Sequence, residues 1–187
     1  MKKFELTNEF ITNMFGTKLF RIRALVEFGD VEAGELGGYV EKESNLGHDD
    51  NAWVYDNAWV YGDAQVSGDA RVYGNARVYD NAWVYGNAQV SGDARVCGDA
   101  RVCGNGDYAY AHGFGSVNRT TTFFRLKDGG VGVRCGCFYG TLAQFRDKIR
   151  ETHGETKKAQ EYLMLADLME LRFEEDENEV GNRKYVE

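Results

Sequence analysis

From Asn51 to Gly104 the chain repeats every six residues. Written in sixes, this segment reads NAWVYD, NAWVYG, DAQVSG, DARVYG, NARVYD, NAWVYG, NAQVSG, DARVCG and DARVCG. The second position is always Ala, the fourth always Val, the first Asn or Asp, and the sixth Gly or Asp. Ala and Val, two residues apart, point to the same side of a short strand, and the Gly, Asp and Asn residues turn the chain. Each block therefore predicts one short strand and one corner.

Three such blocks close a triangular coil, so the segment predicts a parallel β-helix of three coils. Its interior is a column of Val with small Ala residues beside it. Val40 and Leu46 are also six residues apart and predict an irregular preceding coil, offset by two residues from the regular frame. Gly34, Gly37 and Gly38 are expected near the corners of that coil. The chain is therefore predicted to be mainly β.

The segments on either side of the repeat predict smaller elements. Residues 10–14 and 18–25 flank Phe15-Gly16-Thr17 and predict a β-hairpin that caps one end of the β-helix. Residues 120–126 and 131–138 flank Lys127-Asp128-Gly129-Gly130 and predict a second hairpin.

Two helices are predicted after the second hairpin. Thr141 begins the first, Gln144 completes a capping box, and Gly154 ends it. The second runs from about Thr156 to Phe173. The members of its buried stripe are Ala159, Tyr162, Leu163, Ala166 and Met169.

The chain is therefore divided into five parts. They are an N-terminal β cap (1–34), the parallel β-helix (35–106), a β-hairpin (107–140), a two-helix segment (141–175) and an acidic tail (176–187).

Residues 18 apart are expected to stack on one outer face of the β-helix. The position between Ala and Val gives three ladders: Trp53-Arg71-Gln89, Trp59-Arg77-Arg95 and Gln65-Trp83-Arg101. The position after Val adds five Tyr, among them Tyr79. An exposed aromatic surface of this size implies a partner, either the C-terminal elements folding back or a neighbouring subunit.

The arginines in these ladders are candidates for binding an anion. Stacking on Trp explains Arg71 and Arg101. It does not explain Arg95 beside Arg77, since like charges one strand apart repel. Such a pair favours a phosphate or a carboxylate, from a ligand, another subunit or the C-terminal helices. The candidate ligand-binding residues are Arg77, Arg95, Arg71, Arg101, Trp59, Trp83, Tyr79, Arg119, Arg125 and Arg134.

The repeat resembles the left-handed β-helix of the hexapeptide-repeat superfamily, which includes acyltransferases and γ-class carbonic anhydrases. The resemblance implies left-handed winding and makes a homotrimer the expected assembly. It also implies two enzyme classes as candidate functions. Both need histidines at particular places, so the positions of the histidines decide between them.

The three histidines, His48, His112 and His153, all lie outside the nine repeats. A carbonic-anhydrase zinc site needs three histidines facing a subunit boundary, so that function is rejected. For an acyltransferase, His112 is the only credible general base. Cys97 and Cys103 belong to different faces and do not favour a zinc site with Cys135 and Cys137. No metal or cofactor is predicted.

Charge and hydropathy limit the expected setting of the protein. The formal net charge is −8, which argues against duplex nucleic acid as a partner. No secretion signal or membrane-length apolar stretch is recognisable, so a cytoplasmic protein without a membrane partner is expected.

The flanking segments carry a second resemblance. Residues 21–25, 28–31 and 34–40, with residues 120–124 and 134–141, are similar to uncharacterised hexapeptide-repeat proteins of bacteriophages and prophages. That resemblance implies, for an infected bacterial host, a non-enzymatic protein that sequesters a nucleotide signal of a defence system. Guanidinium groups for phosphate and rings for bases suit this function. The alternatives are an acyltransferase-like enzyme using His112 and a structural or protein-binding phage component.

Overall fold

The computed structural model describes residues 2–115 and 118–174. The first strands are β1 (Phe4–Thr12), β2 (Lys18–Ala24) and β3 (Leu36–Val40), followed by a short 3-10 helix (Glu43–Asn45). Nine two-residue strands come next: β4 (Trp53–Val54), β5 (Trp59–Val60), β6 (Gln65–Val66), β7 (Arg71–Val72), β8 (Arg77–Val78), β9 (Trp83–Val84), β10 (Gln89–Val90), β11 (Arg95–Val96) and β12 (Arg101–Val102). The remaining elements are β13 (Tyr108–Phe114), β14 (Arg119–Arg125), β15 (Val131–Cys135), β16 (Phe138–Thr141), α1 (Leu142–His153) and α2 (Lys157–Phe173).

The nine short strands stack as three parallel sheets, which confirms the predicted β-helix. Strands 18 residues apart pair in register, as in Trp59↔Arg77 and Arg77↔Arg95. Every Ala and Val of the repeat is fully buried, since both side chains point into the prism. The left-handed winding implied by the resemblance stays a prediction.

A fourth, irregular coil precedes the regular three, as predicted. Val40 pairs with Val60 and Leu46 bridges to Val66, so its spacing is longer by two residues. Of the three glycines expected near its corners, Gly34 lies in a turn with φ of 90°, whereas Gly37 and Gly38 lie within β3. Only glycine fits at these positions, because a side chain would collide with the next coil: a Cβ on Gly38 would lie 2.6 Å from the carbonyl oxygen of Ala58.

Corner chemistry explains why Asp can replace Gly at the sixth repeat position. Asp56 and Asp80 adopt the left-handed conformation there, with φ of 52° and 59°. Each carboxylate accepts a hydrogen bond from the backbone N–H of the glycine in the next coil, Asp56 from Gly74 at 3.1 Å and Asp80 from Gly98 at 3.3 Å. The added bond offsets the cost of positive φ for a residue other than glycine.

The N-terminal hairpin caps the first coil, as predicted, although β1 begins earlier, at Phe4. Strands β1, β2 and β3 extend one face of the β-helix in the order β1-β2-β3-β5-β8-β11. Trp53, predicted to lie on an outer face, is fully buried beneath this cap. The rings of Phe4 and Phe28 pack edge-on against it, at 6.2 and 5.3 Å between centroids.

The predicted C-terminal hairpin, formed by β14 and β15, is part of a four-stranded antiparallel sheet in the order β13-β14-β15-β16. Gly136, with φ of 59°, turns the chain between β15 and β16 where one continuous strand was predicted. Strand β14 is buried on both faces: Phe124 joins the core of the β-helix and Phe123 joins the core beneath the helices. The sheet therefore closes the second end of the prism.

The helices follow the prediction closely. Thr141 accepts a hydrogen bond from the Gln144 backbone, the Gln144 side chain completes the capping box, and Gly154 is the C-cap. Thr156 caps α2. The members of the predicted stripe that are buried are Ala159, Tyr162, Ala166 and Met169, whereas Leu163 is only partly buried. In the described residues no helix is long and apolar enough to cross a membrane.

Candidate anion-binding site

A cavity of about 370 Å³ lies where the last coil of the β-helix meets the C-terminal sheet. Two of the predicted arginines, Arg95 and Arg119, line it. The other lining residues are Asp93, Thr120 and Gly136. The structure thus brings together arginines from two segments that the sequence separates by 24 positions.

The backbone fixes both arginines at this junction. Arg95 ends the Trp59-Arg77-Arg95 ladder, and its N–H donates a 2.9 Å hydrogen bond to Oγ1 of Thr122 on β14. Arg119 begins β14, and its guanidinium lies over Gly136 in the β15–β16 turn, where any Cβ would collide with it. The positive φ of Gly136 suits the turn, and its lack of a side chain leaves space for the Arg119 guanidinium.

The cavity is electropositive. Among the described residues, neither Arg95 nor Arg119 has a carboxylate within 4.0 Å. Asp93 is the one acid in the lining, and its carboxylate accepts a 3.2 Å hydrogen bond from the Asn75 amide. Burial, together with the neighbouring Arg95 charge, lowers the pKa of Arg77. The repulsion expected between stacked arginines is therefore present.

An aromatic surface continues from the cavity along the same face. The guanidinium of Arg77 lies 4.0 Å from the ring centroid of Trp59. At the adjoining corner, the rings of Tyr61 and Tyr79 stack at 5.1 Å with 4° between their planes. Stacking therefore holds Arg77, which was expected to need an anion, and leaves Arg95 as the ladder arginine that faces the cavity.

Buried Cys97 lies beside half-buried Tyr79, close to the charges of Arg95 and Arg134. Burial raises the pKa of Cys97 to about 11, with opposing contributions from Tyr79 and the Arg134 charge. Burial also raises the pKa of Tyr79 well above its usual value. Arg134 lies on the side of the sheet that faces the prism and donates to the carbonyl of Cys137 at 3.4 Å. Its charge acts on Cys97, and it is not one of the residues that line the cavity.

Cys97 is expected to resist thiol reagents while the protein is folded. At about pH 8 a disulfide reagent should modify the exposed Cys103 and Cys137 quickly and Cys97 only after unfolding, because thiolate is the reactive form. The raised pKa stabilises the folded protein fully below about pH 9, and this contribution is lost as the pH rises through about 11. Mass spectrometry after timed labelling, with Cys97→Ser as control, locates the modified thiols. Rapid labelling of Cys97 in the folded protein contradicts this expectation.

Three predicted arginines lie elsewhere. Arg71 does not depend on stacking with buried Trp53; it forms a 3.0 Å salt bridge with Asp30. Arg101 stacks over Trp83 at 4.5 Å, as predicted, but on another face.

Arg125 is buried on the helix side of β14. Its guanidinium lies 5.4 Å from the ring centroid of Phe173 and donates to the carbonyl of Gly129 at 3.2 Å. Arg71, Arg101 and Arg125, with Trp83, are therefore not part of the cavity.

His112, the predicted general base, lies beside the cavity. His112 is exposed, and its Nδ1 lies 2.8 Å from Oγ1 of Thr120 at the edge of the cavity. In the described residues no group of three or more His, Cys, Asp or Glu side chains comes close enough to hold a metal ion.

Sequence reasoning missed the cavity residues Asp93, Thr120 and Gly136. It also missed a second cleft of about 390 Å³ on the other side of the Gly92 corner, lined in part by Tyr73, Tyr110 and Arg172. The Gly between Cys135 and Cys137 was the available signal for a turn. No pattern in the sequence shows which residues the turn brings to the β-helix.

The stacked parallel coils define this chain as a β-solenoid repeat protein. Its repeat region matches the family model described as the YdcK beta-solenoid repeat, over residues 52–68, 64–76, 70–86, 76–92 and 88–104. A comparison with curated proteins finds no match to the chain.

Proposed function

We propose that this β-solenoid protein binds a small phosphate-bearing ligand, of the nucleotide class, in the cavity between Arg95 and Arg119. One observation carries the proposal: two guanidinium groups, each without a carboxylate within 4.0 Å among the described residues, line a cavity large enough for a ligand. Guanidinium groups bind phosphate through paired, charge-assisted hydrogen bonds.

The surroundings of the cavity favour a nucleotide over a simple anion. Trp59, which stacks with Arg77, and the stacked pair Tyr61–Tyr79 form an aromatic surface further along the same face. Stacking on aromatic rings contributes about 1–3 kcal/mol per base. A bound phosphate would also relieve the repulsion between Arg77 and Arg95.

The resemblance to phage proteins implies a biological role for this binding. We propose that the protein works in the cytoplasm of an infected bacterium, and that it sequesters a nucleotide signal of a defence system without converting it. In a homotrimer, a neighbouring subunit would close the open side of each cavity. The measured mass would then be a multiple of three times the 21.1 kDa chain.

Arg95→Ala is expected to weaken ligand binding about ten- to a hundredfold, since a hydrogen bond to a charged group contributes about 1.5–3 kcal/mol. The measurement is a thermal-shift series with pyrophosphate, cyclic dinucleotides and ADP-ribose. A ligand at about 100 times its Kd stabilises the folded protein by about 2.7 kcal/mol. Arg119→Ala should act in the same direction.

Arg101→Ala is the matched control for this experiment. It removes the same group from the same repeat position, but from a different face, where Arg101 stacks on Trp83. It should keep the full ligand response. The proposal is overturned if no probe raises the melting temperature of the wild-type protein and Arg95→Ala forms an assembly of lower mass. The arginines would then bind carboxylates of a neighbouring subunit in a structural protein.

An acyltransferase-like enzyme is the second candidate, favoured by the hydrogen bond between His112 and Thr120 beside the cavity. It would release thiol from acyl-CoA in the presence of an amine or hydroxyl acceptor, and His112→Ala would stop that release. A protein that only sequesters its ligand should release the nucleotide chemically unchanged when it is denatured. In that case His112→Ala should bind the nucleotide as tightly as the wild type does.

A further inference from the structure

The second cleft, of about 390 Å³, lies where the β-helix ends at β10. Within the coils, the N–H of Trp53 and that of Arg71 each donate to an Ala carbonyl of the next coil, at 3.1 and 2.9 Å. Gln89 holds the same position in the last coil, and its N–H donates instead to Oδ1 of Asn105 at 2.8 Å. Strand β10 is the edge of its three-stranded sheet, so the repeat ends here and leaves a recess beside β13.

Tyrosine rings form walls of this cleft. Tyr73 is followed in its ladder, one coil further on, by Ser91, whose side chain carries no ring. On a neighbouring face two tyrosines at the same repeat position stack at 5.1 Å, whereas no ring of the described residues stacks on Tyr73. Tyr110 of β13 forms another wall, with its hydroxyl over Gly92, where a Cβ would lie only 2.5 Å from it. A planar ring can therefore stack on Tyr73 within the cleft.

The polar side chains of the cleft include two amides, those of Gln89 and Asn105. The Gln89 N–H holds Oδ1 of Asn105, which leaves the Asn105 amide nitrogen and the side-chain amide of Gln89 for a ligand. The hydroxyl of Tyr108 donates to the Gln89 carbonyl at 2.6 Å and so fixes the backbone at this point. Side-chain amides pair with both donors and acceptors on the edge of a nucleobase. The cleft can therefore bind a base by its face and by its edge.

Arg172 is the one charged side chain among the described residues that line the cleft. It donates to the carbonyl of Asn105 at 3.2 Å, and among the described residues it has no carboxylate within 4.0 Å. Carboxylates on the neighbouring segments have other partners. Asp107 accepts two backbone N–H groups at the end of the last coil, and Glu170 pairs with Arg146. The cleft therefore favours a ligand with an anionic group.

We propose that this cleft binds a nucleoside monophosphate, with its base stacked on Tyr73 and its phosphate bound by Arg172. The amides of Gln89 and Asn105 pair with the edge of the base. Stacking, amide hydrogen bonds and one guanidinium for one phosphate are the contacts that this class of ligand needs. The volume lies in the range of about 300–1,000 Å³ that is usual for small-molecule sites. The cleft is separate from the candidate anion-binding cavity, and the inference does not rest on the function proposed for that cavity.

Isothermal titration calorimetry with AMP and GMP tests this site. We expect one nucleotide to bind per chain. Adenosine, which lacks the phosphate, and inorganic phosphate, which lacks the base, should each bind at least about tenfold more weakly than AMP. Adenosine that binds as tightly as AMP would contradict the role of Arg172 and overturn the inference.

Two substitutions, each with a matched control, test the assigned contacts. Arg172→Gln should weaken AMP binding about ten- to a hundredfold, because a hydrogen bond to a charged group is lost. Its control is Arg150→Gln, which changes an exposed arginine in the last turn of α1. Tyr73→Ala should weaken binding about tenfold through the loss of stacking. Its control is Tyr85→Ala, at the same repeat position of the same coil but on a different face.

Arg95→Ala distinguishes this cleft from the anion-binding cavity. AMP binding that survives Arg95→Ala and is weakened by Arg172→Gln, with the circular dichroism spectrum unchanged in both variants, supports the inference. Binding that is lost with Arg95→Ala and unchanged with Arg172→Gln means that AMP occupies the cavity, and it overturns the inference while supporting the proposed function. If neither nucleotide binds, the inference is overturned, and the response to pyrophosphate and cyclic dinucleotides still tests the cavity separately.

Discussion

Gly38→Ala is expected to destabilise the protein by about 3 kcal/mol, at the upper end of the range for overpacked sites. Its Cβ would lie 2.6 Å from the carbonyl oxygen of Ala58 and 2.9 Å from that of Tyr55. Both atoms belong to the backbone of the first regular coil, so no side-chain rotation can relieve the contact. Strand β3 must move away, and the N-terminal cap moves with it.

Chemical denaturation followed by tryptophan fluorescence measures this effect. Trp53, buried beneath the cap, reports whether the cap has separated, because exposure to water shifts its emission to the red. Gly47→Ala is the matched control: its Cβ would meet nothing nearer than 3.5 Å and its φ is not positive. That change should be neutral or stabilise by up to about 1 kcal/mol. Equal effects of the two substitutions would contradict the packing argument.

Phe124→Ala is expected to destabilise the protein by about 3–5 kcal/mol, the usual effect of removing a buried aromatic ring. Phe124 is fully buried in the core of the β-helix, with its ring against Gly132. Its strand closes the open end of the prism, so its loss exposes the last coil. Phe15→Ala, at an 80% exposed position, is the control and should be nearly neutral.

The same substitution should also abolish ligand binding. Thr122, two residues away on β14, accepts the N–H of Arg95, and β14 begins with Arg119. A displaced β14 therefore separates the two arginines. If Phe124→Ala binds pyrophosphate as tightly as the wild type at a temperature where both are folded, then β14 does not position the site.

The regular part of the fold follows from local chemistry and could be predicted. Ala and Val at fixed positions leave the strands one way to bury their side chains, and Gly, Asp and Asn at the sixth and first positions fix the corners. The ladders then follow from a spacing of 18 residues, as Trp59↔Arg77 and Arg77↔Arg95 show. The capping box of Thr141 and Gln144 is equally local.

The candidate site depends on contacts that the repeat does not specify. Arg95 was predicted from its position above Arg77, but its partner in the cavity, Arg119, belongs to a strand outside the repeat. Equivalent ladder positions have different surroundings: Trp53 is buried by the N-terminal cap, whereas Trp83 stays exposed beneath Arg101. A period of six residues carries no information on which face an irregular segment covers.

The sequence by itself determined the coils, their interior and the order of residues along each outer face, because these depend on spacing and on the turn preferences of single residues. Only the tertiary structure decided that β13 and β16 complete a four-stranded sheet, that Arg71 forms a salt bridge with Asp30, and that α2 keeps an exposed apolar stripe. Those outcomes depend on packing between segments far apart in the chain. The free energy of that packing depends on how well the two surfaces fit together, and no local sequence pattern encodes this fit.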